Sequence, residues 1–164
     1  ETVAPEISAI VFKNCDIIRT THIAMDIQHG DRAMVQDVRF ENIRFEIDDN
    51  SPHPRLQTAR NEKYHVEEND EYCPRLLVLE IKKTHYSKDE ERGRIRDVHI
   101  KDVVVTGKHF PESYFSGYDT THQVENITVE NLRINGELIT NAEKGRFSIK
   151  DYVSNVRFVA EGSY

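Results

Sequence analysis

The sequence predicts an all-β fold, a right-handed parallel β-helix: a solenoid of about five short coils with one long insertion. Three observations predict it. An eleven-residue pattern, apolar-x-Asp/Asn-apolar-x-apolar-x-Asn/Asp-apolar-x-apolar, recurs along the 164-residue chain. Its copies begin at Ile7, Val35, Ile95, Val124 and Val153, at intervals of 28, 60, 29 and 29 residues. Within each copy apolar and polar residues alternate, which is the period of a strand with one buried face, and the alternation then slips by one residue at an Asn or Asp.

The first copy, residues 7–17, puts Ile10, Phe12 and Cys15 on apolar positions. A second strand follows at residues 24–28, AMDIQ, where Met25 and Ile27 point inward and Ala24, Asp26 and Gln28 outward. The clearest copy is VQDVRFENIRF at residues 35–45. The 60-residue interval after it fits one coil plus an insertion, because residues 48–75 are polar, hold three prolines and lack an apolar period. Strand character resumes in LLVLEI at residues 76–81, with Val78, Glu80 and Lys82 outward. Copies at residues 95–105 and 124–134 and a partial one from Val153 complete the series. A leucine-rich repeat has an overlapping period, but residues 106–123 contain Gly107, Pro111 and Gly117 and no 3.6-residue spacing, which disfavours the helix that such a repeat needs.

Stacking the coils at roughly 4.8 Å aligns equivalent residues into ladders. Asn14, Asn42, Asp102 and Asn131 form one polar ladder at a bend, since Asn and Asp tolerate the left-handed conformation. Lys13, Glu41, Lys101 and Glu130 form an outward column of alternating charge, read as solvated wall rather than chemistry. The core is expected in the ladders Ile10/Val38/Val98/Ile127/Val156, Phe12/Phe40/Ile100/Val129/Phe158 and Cys15/Ile43/Val103/Leu132. Cys15 is therefore expected to be a buried thiol, whereas Cys73 lies in the irregular segment, and two cysteines set no disulfide framework.

The length fits a single domain, residues 1–164, either whole or as a piece of a longer β-helix, since the chain lacks an initiator Met. A net charge of −7 with no long basic stripe argues against nucleic acid as a partner. No apolar run approaches the roughly 20 residues that span a bilayer, so no membrane partner is expected. His22, Asp26, His29 and Asp31 mix both sides of a strand and a turn without zinc or calcium spacing, so no metal is expected. No cofactor motif, nucleophile elbow or phosphate loop is present. The ends of a solenoid present unpaired backbone and apolar core, so self-association through uncapped coil ends is expected.

Phrases such as Val-x-Asp-Val-x-Phe-x-Asn-Ile resemble the pectin-lyase-like β-helix proteins, most closely the C-terminal half of polygalacturonase-like glycoside hydrolases, over nearly the whole chain. The resemblance implies a carbohydrate-active protein, secreted or periplasmic, with a polysaccharide or oligosaccharide as partner. That family draws its acidic residues from Asn-Thr-Asp and Asp-Asp motifs, followed by Gly-His-Gly and Arg-Ile-Lys. Here THIAMDI at residues 21–27 stands about where Gly-His-Gly would, and VLEIK at residues 78–82 about where Arg-Ile-Lys would, with Glu80 in place of the Arg. Asp48-Asp49 follows a repeat rather than lying on a strand, so the resemblance implies that the principal carboxylates lie upstream of residue 1.

The family places its substrate cleft on the strand that precedes each main repeat. On that face Asp26 and Glu80 are the candidate catalytic pair: as neighbours on successive coils their carboxyl groups would approach the roughly 5 Å separation of a retaining glycosidase. His22, His29, Asp31, Arg32, Lys82 and His85 are the candidate substrate-binding residues. The insertion adds His53, Arg55, Arg60, Tyr64, His65 and Tyr72, and Phe110, Tyr114, Phe115 and Tyr118 form an aromatic cluster. The same carboxylates also fit a plain solvated strand exterior. The alternative function is a non-catalytic glycan- or protein-binding β-helix module.

Overall fold

A computed structural model describes residues 5–20, 22–48, 50 and 74–160. Thr21, Asp49, Cys73 and the insertion residues His53, Arg55, Arg60, Tyr64, His65 and Tyr72 lie outside the described residues. The described part is all-β and contains no helix. Its strands are β1 (Glu6–Thr20), β2 (Ile23–His29), β3 (Met34–Ile47), β4 (Arg75–Ile81), β5 (Arg94–Thr106), β6 (Glu112–Ser116), β7 (Val124–Glu130), β8 (Arg133–Ile134), β9 (Glu137–Leu138), β10 (Phe147–Ile149) and β11 (Val153–Val159).

Two open sheets result. One runs β1-β3-β5-β7-β11, with β8 beside β5, and the other runs β10-β6-β4-β2. Every pairing is parallel except the β8–β9 hairpin. That hairpin turns on Asn135-Gly136, both at positive φ (51° and 86°), the conformation that Asn-Gly adopts in a two-residue turn. From β1 to β7 successive strands enter the two sheets alternately, so each return to a sheet adds its next neighbour, whereas β8 and β9 stay in the sheet of β7 before β10 and β11 resume the alternation. Val35 pairs with Ile95 across the 60-residue interval, so no further strand of this sheet lies between them.

The register reproduces the sequence ladders. Ile10, Val38, Val98, Ile127 and Val156 are successive partners, as are Phe12, Phe40, Ile100, Val129 and Phe158. Lys13, Glu41, Lys101 and Glu130 align as well, and salt bridges close at 2.9 Å between Lys13 and Glu41 and 2.8 Å between Lys101 and Glu130. Asn14, Asn42, Asp102 and Asn131 all have positive φ, and Asn42 Nδ2 donates to Asn14 Oδ1 at 2.7 Å while Asn131 Nδ2 donates to Asp102 Oδ1 at 2.8 Å. A second left-handed column, at Ala9, Asp37, Asp97, Asn126 and Asn155, bends each copy once more. It carries its own ladder, Asn155 Nδ2 to Asn126 Oδ1 at 2.7 Å and Asn126 Nδ2 to Asp97 Oδ1 at 2.9 Å.

Burial is deepest in the middle strands, where Val98, Ile100, Val103, Ile127, Leu132, Leu79 and Phe115 are all at most 1% exposed. At β1 it fails. Phe12 stacks its ring on Phe40, 5.1 Å between centroids, yet remains 48% exposed. Cys15, expected to be a buried thiol, is only half-buried, because β1 is the terminal strand of its sheet and the apolar column ends there. Its Sγ donates to the Lys13 carbonyl at 3.4 Å.

Candidate functional site

The sheet of β2, β4, β6 and β10 carries the face on which the sequence places its candidate residues. In β2, Met25 is buried while Asp26 and Gln28 are exposed, the parity that the alternation requires. The register then separates the two candidate carboxylates. Asp26 pairs with Val78 and Glu80 pairs with Gln28, so the acids lie on a diagonal, two residues out of step. Strands about 4.8 Å apart and a two-residue rise of about 6.6 Å put their Cα atoms roughly 8 Å from one another. Each acid also has a neighbour on its own strand. Gln28 Nε2 donates to Asp26 Oδ1 and Oδ2 at 2.8 and 3.0 Å, and Lys82 Nζ donates to Glu80 Oε2 at 2.5 Å.

The face continues past the two acids. Asp26, Val78, Tyr114 and Ser148 form one cross-strand column, and Gln28, Glu80 and Ser116 form the next, but Val78, expected on the outward side, is buried at 0% exposure. Tyr114 and Ser116 are half-buried, and between them Phe115 turns into the core at 0% exposure. Of the aromatic cluster, only Tyr114 therefore belongs to this face. Phe110 lies under the Arg146 guanidinium, 5.0 Å from its ring centre, and Tyr118 lies 5.9 Å from the Arg92 guanidinium.

Four of the candidate substrate-binding residues lie in the loops that follow β2 and β4. The Asp31 carboxylate Oδ1 accepts the backbone N–H of Lys88 at 2.7 Å and of Asp89 at 2.9 Å. These two donors, Asp89 first, hold the Asp31 carboxyl below the usual carboxylate range. In return the Asp89 carboxylate accepts the Arg32 backbone N–H at 3.1 Å and lies 3.3 Å from Arg32 Nε. Asp31 and Arg32 therefore tie one loop to the other, with the Arg32 side chain still 66% exposed. Gly30 and Gly93 complete this junction. A Cβ on Gly93 would stand 1.8 Å from the Ala33 carbonyl oxygen, so only glycine fits.

His29 ends β2 and packs inward against the same junction. Burial lowers its pKa, so the ring is neutral at pH 7. Its Nδ1 lies 3.1 Å from the Asp31 carbonyl, and its buried Nε2 makes no well-formed hydrogen bond among the described residues, although the Asp31 and Arg94 backbone both act against the lowering. His22 is exposed just before β2, and its carbonyl accepts the Arg75 N–H at 2.8 Å. His85 is exposed and its ring lies 3.8 Å from that of Tyr86. Among the described residues no group of His, Cys, Asp and Glu is disposed to hold a metal ion.

Sequence reasoning missed Arg92, which is 3% exposed. Its Nη2 donates to the Asp89 carbonyl, and its Nε and Nη1 have no hydrogen-bond partner among the described residues. Arg92 lies in an unpatterned loop, and no periodicity marks it. Comparisons of the chain with family models, with curated proteins and with solved structures find no match.

Proposed function

We propose that this chain is a right-handed parallel β-helix module whose β2-β4-β6-β10 face lines a polysaccharide groove without cleaving the polymer. The alternation of β1 to β7 between two sheets paired in parallel supports the β-helix reading, and parallel crossovers are right-handed in nearly all proteins. The observation that carries the binding reading is the pair of cross-strand columns, Asp26-Val78-Tyr114-Ser148 and Gln28-Glu80-Ser116. Around the buried Val78 they set carboxylates, an amide, hydroxyls and an aromatic ring on one side of the sheet. Such groups hydrogen-bond sugar hydroxyls, and a ring packs on the apolar side of a pyranose.

A second reading, cleavage by a polygalacturonase-like glycoside hydrolase mechanism with Asp26 and Glu80 as the acids, is favoured by one observation. The two acids leave adjacent strands two residues out of step, with Cα atoms roughly 8 Å apart, a spacing more compatible with the wider carboxyl separation of an inverting pair than with the roughly 5 Å of a retaining one. The occupied oxygens of both acids, on Gln28 and Lys82, weigh against it.

The test is binding of the purified chain to a panel of acidic and neutral polysaccharides by affinity electrophoresis, with reducing-sugar release followed on the same panel. Retardation without release supports the module. Release that disappears in both Asp26→Asn and Glu80→Gln establishes the hydrolase reading, and neither retardation nor release removes carbohydrate from consideration.

A further inference from the structure

Arg92 ends the 82–93 loop between β4 and β5 and is 3% exposed, which makes it a buried cation. A charge taken out of water needs an ion partner or full hydrogen bonding, and Arg92 has neither. Its Nη2 donates to the Asp89 carbonyl, whereas Nε and Nη1 have no hydrogen-bond partner and the side chain makes no salt bridge among the described residues. The Tyr118 ring, 5.9 Å from the guanidinium carbon, stands at the far limit of a cation–π contact. Asp31 is near enough for Arg92 to help hold its carboxyl down, but its Oδ1 already accepts the Asp89 and Lys88 N–H groups.

The same junction holds further unsatisfied nitrogens. His29, Arg92 and Arg94 supply four of the six buried side-chain atoms that lack a hydrogen-bond partner among the described residues. Three of the four, on the two arginines, are donors whatever the tautomer of His29, so the junction is short of acceptors.

We infer that the junction between the 30–33 turn and the 82–93 loop binds a small inorganic anion, chloride being the simplest, against the Arg92 guanidinium. An anion pairs the buried charge and accepts from its N–H groups at once. A water molecule accepts too, but it leaves the charge unpaired and must itself donate, with His29 Nε2 as the one unfilled ring acceptor. Nε and Nη1 are closed off from solvent, which excludes an anionic group carried on a larger molecule.

Bound there, the anion fastens the 82–93 loop and stabilises the fold by mass action. Chloride at ten times its dissociation constant lowers the ratio of unfolded to folded chain about 10-fold. The anion also acts on His29, whose pKa is lowered by burial and more weakly by Arg92, against the Asp31 and Arg94 backbone and the Asp31 carboxylate. Offsetting the field of Arg92 favours the imidazolium, so binding tightens as the pH falls through the titration of His29. None of this depends on glycan binding.

The test is urea unfolding of the chain in sodium chloride and in sodium gluconate at equal ionic strength, gluconate being too large for the site. Chloride is expected to stabilise the parent with a saturable dependence, reached at lower concentration at pH 6 than at pH 8, and to have no such effect on Arg92→Met. Crystals grown from sodium bromide are expected to show anomalous scattering from bromide beside Arg92, a result that needs no variant to fold. Equal stability in the two salts, a chloride effect that grows without saturating, or one kept in full by folded Arg92→Met overturns the inference. So do bromide sites elsewhere with none at Arg92, and a chloride affinity that is weaker at pH 6 than at pH 8.

Discussion

Glu130 holds two partners at once: its Oε1 lies 2.8 Å from Lys101 Nζ and its Oε2 lies 2.9 Å from His99 Nε2, and the residue is 7% exposed. The Lys101 bond, and after it the His99 bond, lower the carboxyl pKa, with burial opposing them. A depressed carboxylate pKa stabilises the fold above the unfolded value, near 4.5, and that contribution disappears as pH falls through the lower folded value. Glu130→Gln removes it. The variant is expected to unfold in urea about 1 kcal/mol earlier than the parent at pH 7. The difference should shrink as the pH is lowered below 4.5, so urea titrations at several pH values check both size and sign.

Asn42 occupies a bend with φ of 53° and donates to Asn14 Oδ1 at 2.7 Å. Ala at this position loses the hydrogen bond and meets the steric cost of the left-handed region, whereas Gly loses the bond alone. Asn42→Ala is therefore expected to be less stable than Asn42→Gly by about 1 kcal/mol, against the usual preference for Ala in regular structure. Equilibrium denaturation of the pair decides it. Equal stabilities would mean that the backbone at residue 42 is not held in the left-handed region.

The core columns were legible because three of the four intervals between copies are 28 or 29 residues and apolar side chains recur at fixed positions, so counting alone aligns Ile10 with Val38 and Phe12 with Phe40. The first bend was not read, although Asp37, Asp97, Asn126 and Asn155 mark it, because the first copy carries Ala9 there. The Asp26–Glu80 relationship was half legible. Alternation gives the side of the strand, but the 48–75 insertion removes the counted spacing that would fix the register, and the pairing came out two residues displaced. The fastening of Asp31 to Lys88 and Asp89 spans 57 and 58 residues between two unpatterned loops, and no periodicity reports it.

That fastening predicts a local acid lability. The Asp31 carboxyl is held below its usual range by the Asp89 and Lys88 N–H groups, so its contribution is present above an unfolded value near 3.8 and is lost as pH falls through the folded value. Asp31→Asn keeps the shape but presents a weaker acceptor. Amide exchange at Lys88 and Asp89 should be faster in this variant at pH 7, with β5 left protected. Unchanged exchange at both amides would show that Asp31 does not hold the loop closed.

Tyr114 and Phe115 are adjacent in sequence and face opposite ways, one on the proposed glycan face and one in the core. Phe115 is fully buried and meets Phe147 edge-on at 5.6 Å, so Phe115→Ala is expected to cost about 3–5 kcal/mol. Tyr114→Ala empties no core position and should cost about 1 kcal/mol or less. If the β2-β4-β6-β10 face binds polysaccharide, affinity responds in the opposite order. Tyr114→Ala loses about 10-fold, equivalent to roughly 1.4 kcal/mol, while Phe115→Ala, assayed at a temperature where it remains folded, binds as the parent does. Retardation curves for the two variants on one bound polysaccharide, read beside their urea midpoints, separate a face that binds from a strand that only supports the fold. Loss of affinity in Phe115→Ala alone would move the binding site off this face.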